Sequence, residues 1–176
     1  FEIVSGFTTT GASIIRDVEA MPHCILFWRS FSHWIGGMGV LVFMLAVVPM
    51  TGGYNMYLMR AESPGPSVGK LVPRLRQTAK ILYIMYFALT MVELALLLAG
   101  GMPVFDSVCT ALGTAGTGGF GIKADGIDGY SYYIQVIVTV FMFLFGVNFT
   151  FYYLIVNKKW RDALKMEEVR VYTAIF

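Results

Sequence analysis

Charged side chains are scarce in this chain: aspartate, glutamate, lysine and arginine together make up 14% of its 176 residues. A soluble globular domain usually has about 25%. Hydrophobic residues make up 57%, the mean hydropathy is +0.67, and the apolar residues stand in long blocks. The shortage of charge therefore argues against a soluble domain and predicts a protein embedded in a membrane.

Cysteine is rare as well, and Cys24 and Cys109 form neither a disulfide framework nor a metal-ligand pattern. The sequence has no HExxH, no GxSxG and no paired aspartates in its apolar segments, so an intramembrane enzyme is not expected. It also lacks a starting methionine and the charged segment of a signal peptide. We expect a piece of a longer protein.

Glycine and threonine are concentrated in two short tracts, residues 5–13 (the first tract) and 113–121 (the second tract). Both residue types are poor helix formers. Non-helical backbone is tolerated at membrane depth only where protein buries it or where it lines a water-filled path. Because inward-facing carbonyls can replace the water shell of a monovalent cation, the tracts predict ion-coordinating loops. A capped turn between helices is the alternative.

Three apolar segments are long enough, or nearly so, to cross a bilayer, which takes about 20 helical residues. They cover approximately 25–50, 81–98 and 132–156. Between the second and the third, Pro103 suits a helix start. The short apolar helix predicted over about 105–112 cannot span the membrane. The predicted unit is therefore a span, a re-entrant pore helix, a glycine–threonine loop and a second span.

Basic residues are concentrated in two stretches, because ten of the thirteen lie in 51–80 or after 156. The positive-inside rule places both stretches in the cytoplasm. Both tracts then face the outside of a cell (inner) membrane.

A weak internal repeat supports this unit, since FEIVS at 1–5 resembles FDSVC at 105–109. The spacing from this motif to the loop differs between the copies. The key glycine of the second tract is therefore either Gly118 or Gly119.

Four motifs occur in one order across nearly the whole chain: SGFTTTGAS at 5–13, WIGGMG at 34–39, AESPGP at 61–66 and TGGF at 117–120. On these motifs the chain resembles the Trk/Ktr/HKT superfamily of potassium and sodium transporters, most closely the Trk potassium-uptake membrane subunits. The resemblance implies an all-α membrane protein, a fragment of four helix–pore helix–filter loop–helix repeats around one pseudo-tetrameric pore for potassium uptake.

The resemblance also implies a site and partners. The selectivity-filter residues are Thr8, Thr9, Thr10 and Gly11 in the first tract and Gly116, Thr117, Gly118 and Gly119 in the second. Potassium would bind at these residues, with no organic cofactor. The implied partners are a second full-length copy in a homodimer, a cytosolic nucleotide-binding regulatory subunit and the lipid bilayer, with no nucleic acid.

The resemblance divides the chain into four parts. Residues 1–50 supply the filter loop and inner helix of a first pore repeat, and 51–80 a cytoplasmic link. Residues 81–157 form a complete second repeat, and 158–176 a cytoplasmic segment leading to a third. The alternatives are a sodium-permeable member of the superfamily and a secondary transporter with broken helices.

One acid, Glu93, lies inside a predicted span, where ionisable groups are costly and usually paired. Counted at about 1.5 Å per residue along antiparallel helices, Glu93 and Arg29 lie about 6 Å apart in depth. We therefore expect a polar pair Arg29–Glu93. The alternatives are a bond from Glu93 to the pore-helix backbone near 109–112, or a protonated Glu93 bonded to a neighbouring helix.

Small and polar residues in the first span predict close helix packing. Ser32 and Gly36 have the four-residue spacing of small-xxx-small contacts. Gly36, Gly37 and Gly39 would alternatively flex as a gate. His33 is expected to pack against a neighbouring helix, with a proton relay as the alternative.

Overall fold

The structure, a computed structural model, describes residues 1–39, 72–156, 160 and 166–175, and within these ranges every regular element is helical. The helices are α1 (Glu2–Phe7), α2 (His23–Gly37), α3 (Val72–Ala99), α4 (Val104–Ala115), α5 (Tyr132–Gly146), α6 (Phe149–Val156) and α7 (Glu167–Ile175). The all-α fold class predicted from the sequence is confirmed. Predictions for 40–71, which include most of the link, lie outside the described residues.

The second predicted span lies within one continuous helix, α3. Within the described residues, Ala79–Ala99 is the one unbroken helical stretch that is long and apolar enough to cross a membrane. The third predicted span is wrong as a single helix, because α5 and α6 meet at an angle of 85°. Val147 adopts an extended conformation between them, and the Asn148 side chain accepts a hydrogen bond from the Thr150 N–H at 2.9 Å, which caps α6.

The predicted pore helix is present as α4 and is longer than expected. Pro103 stands immediately before it, where a missing N–H is harmless. Asp106 lies in the first turn, where its negative charge interacts favourably with the helix dipole. Its carboxylate also accepts a hydrogen bond from the Tyr130 hydroxyl at 2.6 Å, which ties the start of α4 to the loop before α5.

Helix α2 packs against the C-terminal ends of both short helices, α1 and α4. A Cβ added to Gly36 would collide with the Phe7 carbonyl oxygen at the end of α1. A Cβ added to Gly37 would lie 2.9 Å from the Ala115 carbonyl oxygen at the end of α4. The two glycines therefore allow α2 to touch both helix ends, which confirms the predicted close packing.

A different side of α2 packs against α3. The Trp34 indole N–H donates to the Thr90 hydroxyl at 3.1 Å, and the Tyr86 hydroxyl donates to the Trp34 carbonyl at 2.8 Å. The buried Tyr86 ring also contacts Phe145 of α5 and Phe149 of α6. These aromatic contacts form the core that fixes α2 relative to the second half of the chain.

Candidate functional site: two loops braced by helix α2

The two glycine–threonine tracts adopt the same backbone conformation after their helices end. Thr9 and Gly11 have φ values of +53° and +70°, and Thr117 and Gly119 have +55° and +67°. A positive φ is an outlier for a β-branched residue, so its occurrence at both threonines marks a shared local structure. In this register Gly119 corresponds to Gly11, and Gly118 corresponds to Thr10.

This register differs from the one that the pentapeptides 1–5 and 105–109 suggest. Glu2 and Asp106 are not equivalent, because Asp106 lies about one helical turn farther from its loop. The sequence match therefore does not align the loops, whereas the two positive-φ pairs do.

The loops lie directly against each other. A Cβ added to Gly11 would collide with the Gly118 carbonyl oxygen. A Cβ added to Gly118 would lie 2.8 Å from the Thr9 carbonyl oxygen. The structure thus brings the two predicted filter segments together, although they are about a hundred residues apart in the sequence.

The first loop is held by its own hydroxyl groups. Ser5 donates from Oγ to the Ala12 carbonyl at 2.6 Å, and the Thr8 and Thr10 hydroxyls share a hydrogen bond of 2.8 Å. The Thr10 N–H also donates to the Ser5 carbonyl at 3.0 Å. The end of α1 and its loop therefore form one locally bonded unit.

The second loop has glycines at the equivalent positions, and the buried His33 of α2 fills the space beside them. A Cβ on Gly116 or on Gly118 would collide with the His33 ring. The Gly118 N–H donates to His33 Nε2 at 3.1 Å. His33 thus packs as a polar group, as expected, but against the predicted filter segment of the second tract and not against a neighbouring helix.

Arg29, one turn earlier on α2, connects the two loops. Its Nε donates to Glu2 Oε2 at 2.7 Å, and its Nη1 donates to the Gly121 carbonyl at 2.5 Å. Its guanidinium carbon lies 3.5 Å from the centroid of the Phe120 ring. Glu2 in turn accepts the Ile14 N–H at 2.8 Å. The ion pair therefore joins the outgoing ends of both loops.

The predicted pair Arg29–Glu93 is wrong, since Arg29 pairs with Glu2. Glu93 is fully buried, and neither of its carboxylate oxygens makes a hydrogen bond within the described residues. The Thr114 side chain of α4 is its polar neighbour, but the Thr114 hydroxyl donates to the Thr110 carbonyl at 2.8 Å. Glu93 therefore faces the Thr114 side chain near the end of the pore helix. The alternative of a bond to the backbone near 109–112 is wrong, because neither carboxylate oxygen is hydrogen-bonded there.

Arg29 does not pair with Glu93 because of the direction in which its side chain leaves α2. Arg29 and Trp34 are five residues apart, which separates them by roughly 140° around the helix at 3.6 residues per turn. Trp34 bonds α3, so Arg29 points away from α3 and from Glu93. The pair was predicted from depth along the helix axis alone, and depth gives no information about the direction of a side chain around that axis.

Sequence reasoning missed the role of Glu2 and the contact between His33 and the second loop. A usable signal was present, because Arg29 and His33 are four residues apart and so share one face of α2. Two buried polar side chains on one face of an apolar helix indicate a polar surface opposite them.

The sequence matches the family model named TrkH, described as a cation transport protein, over residues 1–171. The chain belongs to this family. The Trk system potassium uptake protein TrkG of Escherichia coli (strain K12) is 39% identical over 161 residues, which cover 90% of this chain and 33% of TrkG. The TrkH protein of Salmonella typhimurium is 38% identical over 170 residues, which cover 92% of this chain and 35% of TrkH.

A solved structure of the TrkH family supports the fold. The crystal structure of the potassium transporter TrkH from Vibrio parahaemolyticus matches with a TM-score of 0.69 and 31% identity, over 86% of this chain and 30% of that chain. The resemblance inferred from the four motifs is thus confirmed, and with it an all-α membrane protein. The chain spans about a third of the length of these TrkH-family relatives.

Proposed function

We propose that this chain is part of a longer transporter that takes up potassium ions through a selectivity filter. The observation that carries the proposal is the pair of loops with matching positive-φ residues, placed against each other at the ends of two short helices. The relatives named above are potassium uptake proteins by name, which supports potassium as the ion.

The backbone of the loops suits a monovalent cation. φ changes sign at each step from Thr9 to Gly11, and again from Thr117 to Gly119. Such alternation gathers successive N–H groups on one side, which leaves the carbonyl groups for the other. Carbonyl oxygens are the ligands that replace the hydration shell of potassium in a filter.

The short helices support the same proposal electrostatically. The C-terminal end of a helix carries a partial negative charge, and α1 and α4 both end at a loop: Phe7 and Ala115 are their last residues. We propose that these ends lower the energy of a cation in the pathway between the loops.

The complete pore requires more than this chain. We propose that four such repeats in one polypeptide surround the pore, that two polypeptides form a homodimer, and that a cytosolic nucleotide-binding subunit regulates it. These proposals rest on family resemblance, and the words "Trk system" in the relatives' names support further components.

The ion proposal predicts rubidium uptake. In a bacterial strain that lacks potassium uptake, the full-length protein that carries this sequence should raise uptake of Rb⁺ above the vector control. Excess K⁺ should compete more strongly than excess Na⁺. Equal competition would favour the sodium-permeable alternative. No uptake by protein shown to be in the membrane would contradict the proposal.

The proposed orientation places 51–80 in the cytoplasm and 123–129 outside, because the basic excess lies in 51–80. In intact cells, a membrane-impermeant thiol reagent should label D125C and should not label S67C. Both variants need a background with the two native thiols, Cys24 and Cys109, replaced by serine, since Cys24 is exposed and would react. Labelling at position 67 alone would reverse the orientation.

A further inference from the structure

We infer that His33 and Arg29, on the inner helix of the first repeat, are positioning residues for the filter segment of the second repeat. The inference rests on the proposed function and adds to it a cause of ion preference outside the filter itself. The structure gives three observations that carry it: a missing set of hydroxyls, a replacement side chain and a brace at the loop exit.

The second loop lacks the hydroxyls that hold the first. In the shared register Ser5, Thr8 and Thr10 correspond to Gly113, Gly116 and Gly118. A Cβ added to Gly113 would lie 3.1 Å from the Phe120 carbonyl, the counterpart of the Ala12 carbonyl that Ser5 binds. The acceptor of the equivalent hydrogen bond is therefore in place at Phe120, but Gly113 has no hydroxyl to donate to it.

His33 occupies the volume that the missing side chains leave. Its ring is fully buried, blocks a Cβ at both Gly116 and Gly118, and lies 5.1 Å from the Phe120 ring in a stacked arrangement. Because Nε2 accepts the Gly118 N–H, this nitrogen carries no proton and acts as the acceptor of the pair. The first repeat thus supplies a hydrogen-bonding group that the second loop does not contain.

This single hydrogen bond fixes the direction of a proposed ion ligand. The Gly118 N–H and the Thr117 carbonyl belong to one peptide unit, which is planar and trans, so they point in opposite directions. With the N–H held by His33, the Thr117 carbonyl must point away from α2. His33 therefore orients this carbonyl without touching the ion.

Arg29 braces the same segment at its exit. It binds the Gly121 carbonyl and covers the Phe120 ring, which lies between Arg29 and His33. Two side chains one helical turn apart on α2 thus hold the second loop at both ends of Gly118–Gly121.

A matched pair of variants tests the role of His33. His33→Gln keeps an acceptor near the position of Nε2, whereas His33→Phe keeps a ring that fills the space and loses the acceptor. We expect H33F to reduce the preference for Rb⁺ over Na⁺ by about two- to tenfold, the range for one hydrogen bond. We expect H33Q to retain most of the preference.

His33→Asn provides a second comparison if H33F does not fold, because its amide is one methylene too short to reach Gly118. It should lose preference as H33F does. His23→Gln is the control on the same helix: His23 is exposed and packs against Phe105, about 15 Å along the axis from His33. H23Q should leave the preference for Rb⁺ over Na⁺ unchanged.

The measurement is competition by Na⁺ against Rb⁺ uptake by the full-length protein, normalised to the amount in the membrane. A merely structural role would lower the amount of uptake and leave the preference unchanged. Unchanged preference in both H33F and H33N, or equal loss in H33Q, would overturn the inference. Failure of the unsubstituted protein to transport would instead contradict the proposed function.

Discussion

Replacing Gly11 by serine should weaken the preference for potassium over sodium far more than it lowers the amount of protein in the membrane. Gly11 has a φ of +70°, where any side chain is strained by about 1–2 kcal/mol. A Cβ there would also collide with the Gly118 carbonyl of the opposite loop. The substitution therefore disturbs both proposed filter segments at once.

The two causes separate in matched variants. Gly119→Ala has the same positive φ but no atom within 4 Å of the added Cβ, so it tests the backbone strain alone. Gly121→Ala adds a Cβ at ordinary contact distance, with no positive φ, and is the neutral control. We expect the loss of preference to be about tenfold or more for G11S, since overpacking adds about 1–3 kcal/mol. It should be smaller for G119A.

Rubidium uptake in competition with Na⁺ measures the preference, and membrane fractions measure the amount. Normal preference in G11S would contradict the assignment of the first tract as a filter. Equal losses in G11S and G119A would show that contact between the loops is not the cause.

Replacing Arg29 by glutamine should destabilise the protein because it breaks the ion pair with Glu2, and an interaction with Glu93 should play no part. Arg29 and Glu2 are joined by a bond of 2.7 Å, with side chains 4% and 15% exposed. Hydrogen bonds to charged groups contribute about 1.5–3 kcal/mol. We therefore expect R29Q and E2Q each to lower the melting temperature of the detergent-purified full-length protein.

The double variants distinguish the two possible partners. R29Q/E2Q should lose clearly less than the sum of its single variants, because the second substitution finds the pair already broken. R29Q/E93Q should be additive, since Glu93 lies on the α3 side of the core. The opposite pattern, coupling to Glu93 and additivity with Glu2, would contradict the arrangement around α2.

The features that the sequence predicted correctly have local causes. Pro103 followed by a short apolar run sufficed for α4, and the length of the apolar block sufficed for α3. The two loops were found because a glycine–threonine composition opposes helix formation, although the first three residues of each tract belong to α1 and α4. Each of these inferences used neighbouring residues only.

The features that it missed depend on rotation about a helix or on a partner distant in the chain. The partner of Arg29 is set by the face of α2 on which it stands, and the contact of His33 with Gly118 joins residues 85 positions apart. The break at Val147 is an intermediate case. An asparagine after Gly146 is a possible helix N-cap, but the apolar residues around it gave the stronger signal of one continuous span.

If the loops bind a cation as proposed, the two threonines with positive φ link the folding of the loops to ion occupancy. Left-handed backbone at a residue with a side chain costs roughly 1–2 kcal/mol, and the site contains two of them, Thr9 and Thr117. A cation bound by the proposed carbonyls stabilises only the folded form, by an amount that grows with the logarithm of its concentration. Under the proposed function, the transported ion is thus also a structural component of the loops, and an ion-free filter is their less stable state.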